Sequence, residues 1–222
     1  MNTTEKITKC LDEKLSEYKQ PVSILSKTDE NEFIINNTLM FDWDEISKLH
    51  NGDDLSSVDA IYCYVHDNTL TLYFFEFKNH SLHDKFFDAK KQLSDLLNDL
   101  EKCLFCCCYP KKIKEVKKHL ISKKIISLKT KPLESLILLN NILNDAGISK
   151  EEIISIKKEY YIISNTPIDG NKSNWHRGKR NKEIFGFIDK IKPFPFIEIN
   201  HLNEKTFLSL INTLQKSNEY NT

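Results

Sequence analysis

Apolar residues return at helical spacing near the start of the chain, where Ile7, Leu11, Leu15 and Tyr18 follow Thr4, a residue able to cap a helix, and Pro21 marks its end. Phe33 to Phe41 holds two apolar triplets around Asn36-Asn37 and reads as a strand or hairpin. Period two then takes over. Ile61 to Val65 and Leu70 to Phe77 are aromatic and β-branched runs separated by His66-Asp67-Asn68-Thr69, and Asp67-Asn68 suits a two-residue turn. Ser81 and Asp84 have capping-box spacing ahead of Phe86, Leu93, Leu97, Leu100 and Leu104, which predicts a long amphipathic helix.

In the second half, Leu133 to Leu143 is apolar on nearly every side and runs towards Gly147, the pattern of a buried helix with a glycine cap. Ser149 and Glu152 repeat the capping-box spacing and open a short helix. Tyr160 to Ile163 suits a buried strand, and Asn165 to Lys182 reads as a polar, basic loop. Phe196 to Ile199 predicts a last strand, placed at a sheet edge by Pro193 and Pro195. Phe207, Leu210, Ile211 and Leu214 close the chain with an amphipathic helix. The order is mixed α/β and shows no internal repeat.

Composition narrows the class. A chain of 222 residues fits one domain, with or without an insertion, and no apolar run approaches the ~20 residues that cross a bilayer. Met1 to Tyr18 lacks the apolar segment of a signal peptide, so a cytoplasmic protein with six reduced cysteines is expected. The formal charge is zero, so nucleic acid would have to be held by local basic clusters. Lys111 to Lys131 carries nine lysines against Glu115 alone, but arginine occurs only at Arg177 and Arg180. Together with many Ile and Asn residues this looks like AT-rich codon usage, and lysine density is discounted accordingly.

The hairpin carries the chemistry. A turn at Asp67-Asn68 pairs Val65 with Leu70, Cys63 with Leu72 and Ile61 with Phe74 on a wholly apolar side, and Tyr64 with Thr71, Tyr62 with Tyr73 and Ala60 with Phe75 on a mixed one. Continued, the register sets Asp59 opposite Glu76 on the apolar side, with Lys78 on the same face two residues on. Opposed carboxylates have Cβ atoms roughly 5 Å apart and destabilise a sheet unless compensated. A divalent cation is the natural compensation, since Mg²⁺ is held by one or two carboxylates plus water and phosphate oxygens. Two carboxylates and an ammonium suit phosphodiester hydrolysis by a polarised water, with no nucleophilic side chain.

Val58-Asp59-Ala60-Ile61 and Phe75-Glu76-Phe77-Lys78 resemble motifs of the PD-(D/E)xK nucleases, with Val58 in place of the proline. The resemblance covers Thr4 to about Leu104. It implies a restriction-endonuclease-like fold, a mixed central sheet flanked by helices, in a single domain over 1–222. Within it a helical insertion is expected at about 111–156, and C-terminal strands and a helix at 157–216. It also implies a Mg²⁺- or Mn²⁺-dependent endonuclease acting on DNA rather than RNA, away from membranes, with a homodimer allowed. Asp59, Glu76 and the backbone carbonyl of Phe77 would hold the metal, and Lys78 would be catalytic. Many members add an acidic residue on the first helix, for which Glu5, Glu13 and Glu17 are available. Some carry a Gln or Lys on the helix after ExK, here Lys85 or Gln92.

Other patterns weigh less. Cys103, Cys106, Cys107 and Cys108 lie too close together for a four-ligand cluster and read as small buried residues. His80 and His83 lack the all-helical context of a His-Asp metal core. The loop with Trp175, Arg177 and Arg180 suits phosphate contact and base stacking. The rival readings are a catalytically silent binding module of the same fold and a defence- or toxin-type RNase.

Overall fold

Asn2, not Thr4, caps α1 (Thr3–Leu15): its Oδ1 accepts the Glu5 N–H at 2.8 Å while Glu5 Oε2 accepts the Asn2 N–H at 3.0 Å. A capping box of this kind closes two donors at once, which outweighs the hydroxyl two residues on. The computed structural model describes residues 2–27, 33–51, 56–78, 128–164 and 191–219. After a 3₁₀ turn (Ser16–Tyr18) come β1 (Lys19–Pro21), the single-turn α2 (Val22–Leu25), β2 (Leu39–Asp42) and α3 (Trp43–Asn51). The hairpin is β3 (Ala60–His66) and β4 (Thr69–Lys78). A helix, α4, covers 128–145, followed by α5 (Lys150–Ser155), β5 (Lys157–Ser164), β6 (Glu198–Leu202) and α6 (Glu204–Glu219).

The six strands form one mixed sheet in the order β1-β2-β3-β4-β5-β6. β1 to β4 pair antiparallel, whereas β5 runs parallel to β4 and β6 parallel to β5. The hairpin register is the expected one, Ala60 with Phe75 through His66 with Thr69. Asp67 and Asn68 both take positive φ, 47° and 59°, as the tight turn of a twisted hairpin requires. β6 stands at the edge, which tolerates the prolines before it.

Alternation divides the core. Ile61, Leu70, Leu72, Phe74, Tyr160 and Ile162 face α1, α3, α4 and α5, while Ala60, Tyr73, Phe75, Tyr161 and Ile163 face α2 and α6. Gly147 (φ 78°) ends α4 as its neighbours require: its N–H reaches the Asn144 carbonyl and that of Ile148 the Leu143 carbonyl. α5 has the capping box expected of Ser149 and Glu152.

Two readings change. Of the residues from Phe33 to Phe41, only the last three are strand; Ser26 Oγ accepts the Ile34 N–H at 3.1 Å and Asn36 Oδ1 that of Thr38 at 2.8 Å, so local side-chain bonds replace a ladder. α3 was not anticipated at all, although Asp42 and Glu45 have cap spacing and the Glu45 N–H does bond Asp42 Oδ1 at 3.1 Å. Among the described residues no helix is long and apolar enough to cross a membrane.

Candidate active site

The antiparallel ladder stops at Ala60. Asp59, just before β3, is held in two other ways: its carbonyl accepts the Trp43 N–H at 3.1 Å, and its Oδ2 accepts the Phe77 N–H at 2.5 Å. The carboxylate thus reaches β4 through a backbone hydrogen bond to the residue after Glu76. Glu76 lies on an interior strand and is fully buried, on the face otherwise made of Leu72, Phe74 and Ile162. Lys78 places its ammonium on Glu76 Oε1.

A second ammonium enters from α4. Lys131 Nζ lies 2.9 Å from Glu76 Oε1, 3.1 Å from Oε2 and 3.6 Å from Asp59 Oδ1. The same helix fixes the approach to Asp59. Glu134 Oε2 accepts the Ser56 N–H at 2.7 Å, and the buried Ser135 Oγ accepts that of Val58 at 2.9 Å. Lys131 and Ser135 are four apart and so share a helix face. Asp44, in the first turn of α3, bonds the Ser57 hydroxyl from the other side.

The electrostatics follow from burial of like charges. Desolvation raises the Asp59 pKa first and the charge of Glu76 adds to it; Lys131 and Lys78 pull it down, and the balance is about 7. For Lys131 burial works against the charged form, but the carboxylates of Glu76 and Asp59 more than offset it and hold the ammonium above its ordinary range. Tyr160, fully buried on β5 beside Phe74, has its phenol pushed well up by desolvation and then by Glu76 and Asp59. Its hydroxyl has no hydrogen-bond partner among the described residues.

Among the described residues no group of three or more His, Cys, Asp and Glu side chains gathers to hold a metal. The donor set here is two carboxylates, all oxygen and hard, which fits Mg²⁺ or Mn²⁺ completed by water and phosphate oxygens rather than a dedicated protein cage.

Of the residues picked out in sequence, Asp59, Glu76 and Lys78 come together, and Phe77 joins them through its N–H. The three N-terminal acids do not: Glu5 serves the α1 cap, Glu13 pairs with Lys9 at 3.7 Å, and Glu17 sits in the 3₁₀ turn. Thr4 Oγ1 bonds the Asn68 carbonyl, so α1 starts at the turn end of the hairpin, remote from Asp59. Lys85, Gln92, Arg177, Arg180, His80, His83 and the Cys103–Cys108 run lie outside the described residues. Lys131 and Asp44 were missed; Lys131 was hidden among lysines of similar spacing, and Asp44 belongs to the unread helix. The register also sets Ser164 beside Lys78, and Ser164 Oγ is 2.6 Å from His201 Nε2. Comparisons of the chain with family models, curated proteins and solved structures match nothing.

Proposed function

We propose that the chain is a Mg²⁺- or Mn²⁺-dependent endonuclease of the PD-(D/E)xK type that hydrolyses phosphodiester bonds in DNA. The observation that supports it most is the meeting of Asp59, just before β3, with the fully buried Glu76 of β4, with Lys78 bound to Glu76. Burying two carboxylates side by side is costly, and a structural role would be met at lower cost by apolar residues of the same volume. A divalent cation bound there supplies polarisation of a phosphoryl oxygen and of a water molecule. Asp59 and Glu76 would hold that ion, the Phe77 N–H fixes the Asp59 carboxylate, and Lys78 would supply a donor for the attacking water or the developing negative charge.

The second reading is a catalytically silent nucleic-acid- or protein-binding module, and the charge balance favours it: the ammonium groups of Lys78 and Lys131 already match the two carboxylates. Incubation of the protein with plasmid, single-stranded DNA and RNA in Mg²⁺, Mn²⁺ or EDTA decides between them. Cleavage of DNA that EDTA stops and Glu76→Ala abolishes is the expected result. Cleavage of RNA alone transfers the site to an RNase, and no cleavage of any substrate leaves the binding module.

A further inference from the structure

The two ammonium groups on the carboxylate pair are not equivalent. Lys78 comes from the same strand as Glu76 and bonds one oxygen of it. Lys131 comes from α4, contacts both oxygens of Glu76 and stands 3.6 Å from Asp59, so its nitrogen fills the notch between the carboxylates. That notch is where a cation shared by the pair belongs. An ammonium at 2.9 and 3.1 Å and a Mg²⁺ that needs oxygens at ~2.0–2.1 Å claim the same lone pairs. Glu76 is fully buried and has no other position to offer, whereas 21% of the Lys131 side chain is exposed, so it is the lysine that gives way.

Its backbone stays in place, because Glu134 and Ser135 of the same helix anchor it to Ser56 and Val58. The displaced ammonium therefore remains at the mouth of the site, within a side chain's reach of the carboxylates. Charge then sets its next partner. Asp59 and Glu76 against Lys78 and Lys131 sum to zero; a divalent ion raises the site to a net charge of two, which an anion must match. Each phosphodiester of a nucleic-acid backbone brings one of those negative charges, and lysine, a compact cation with three donors, suits a phosphate oxygen.

We propose that Lys131 is a phosphate-positioning residue of this site, supplied by α4, which holds the carboxylate pair before the divalent ion enters and the substrate phosphate afterwards. The proposal rests on the nuclease reading. It differs from Lys78, whose partner on its own strand does not change.

The test compares wild type, Lys131→Met and Lys131→Arg. Mn²⁺ affinity without substrate is measured by titration calorimetry, and KM, kcat and salt dependence on a short DNA or RNA duplex, whichever the wild type cleaves. Removing the competing ammonium is expected to tighten Mn²⁺ binding by about 10-fold, while KM rises by about 10-fold and the salt slope falls by roughly one unit. Lys131→Arg is expected to keep the salt slope. Tighter Mn²⁺ binding with an unchanged KM and slope overturns the proposal and leaves Lys131 a mere neutraliser. Weaker Mn²⁺ binding in a folded Lys131→Met, checked by circular dichroism, overturns it in favour of a structural support; Lys131→Gln replaces the variant if Met does not fold. Failure of the underlying reading is visible separately. If neither wild type nor Lys131→Met binds Mn²⁺, the pair is no metal site. If only Lys131→Met binds it, the lysine permanently replaces the cation and the silent module is the better account.

Discussion

Two lysines are withdrawn from solvent on the same side of the sheet, and burial moves them in opposite directions. Lys131 meets Glu76 and Asp59 and stays charged beyond its ordinary range. Lys158, on β5 opposite Leu72 and 3% exposed, meets the carbonyls of Ile153 and Ile156, at 2.8 and 2.9 Å, and desolvation lowers its pKa to about 8. Carbonyl dipoles at the end of α5 take two of its three donors but do not replace a full opposite charge. Lys158 is thus what a lysine does when it closes a helix end. At the open end of the hairpin, charges of both signs are concentrated where either sign alone would be intolerable, and on the nuclease reading proposed above this is where the charged substrate belongs.

The largest expected effect is on the charged cluster. Glu76→Ala removes the carboxylate that both lysines share, and cleavage should fall by about 10³-fold or more, on the scale seen when a principal charge-stabilising group is deleted. Mn²⁺ should raise the Tm of the wild type and leave that of the variant unchanged, since only the folded pair binds it. Equal shifts in both proteins would move the metal elsewhere.

Lys78→Ala comes next. The expected outcome is a loss of about 10²-fold in kcat with the Mn²⁺-dependent Tm shift retained, the mark of a contact made chiefly in the transition state. Lys78→Arg should restore little, because a planar guanidinium presents its donors differently from an ammonium. A wild-type rate in Lys78→Ala would reduce this lysine to a charge balance like that of Lys131 before metal entry.

Lys158 sharpens the comparison through pH. Folded, it titrates near 8, and unfolded near 10.4, so between these values the unfolded chain binds more protons and stability rises with pH. Urea unfolding at pH 7.5 and 9.5 should show a gain of roughly 2 kcal/mol from this group, at ~1.4 kcal/mol per pH unit of full difference. Lys158→Met should flatten that gain and leave cleavage untouched. If the variant keeps the full pH dependence, the carbonyls hold Lys158 charged after all and the contrast with Lys131 disappears.

The smallest effect concerns Ser135. Replacing it with Ala leaves the buried Val58 N–H without its acceptor, for about 1–2 kcal/mol of lost stability by chemical denaturation. Cleavage should drop by about 10-fold as the approach to Asp59 loosens. Lost stability with full activity would show that α4 supports the fold but not the site.

What the sequence determined by itself is the part of the molecule governed by near neighbours. The β3–β4 register follows from a two-residue turn and from faces that a one-residue slip would mix. The Gly147 cap and the α5 capping box are likewise settled within a few residues. The same locality brought Glu76 and Lys78 to one face and Asp59 to the mouth of the hairpin, though not the bond from the Phe77 N–H that holds it there. Tertiary structure alone decided the rest. The parallel pairing of β5 with β4 sets Ser164 beside Lys78, a contact 86 residues apart in sequence that no period reveals. Lys131 became part of the site only because α4 packs on that face, and one lysine among nine carries no mark of the carboxylates it will meet. Short-range order is written in spacing, but the partner of a buried charge depends on which distant element closes over it.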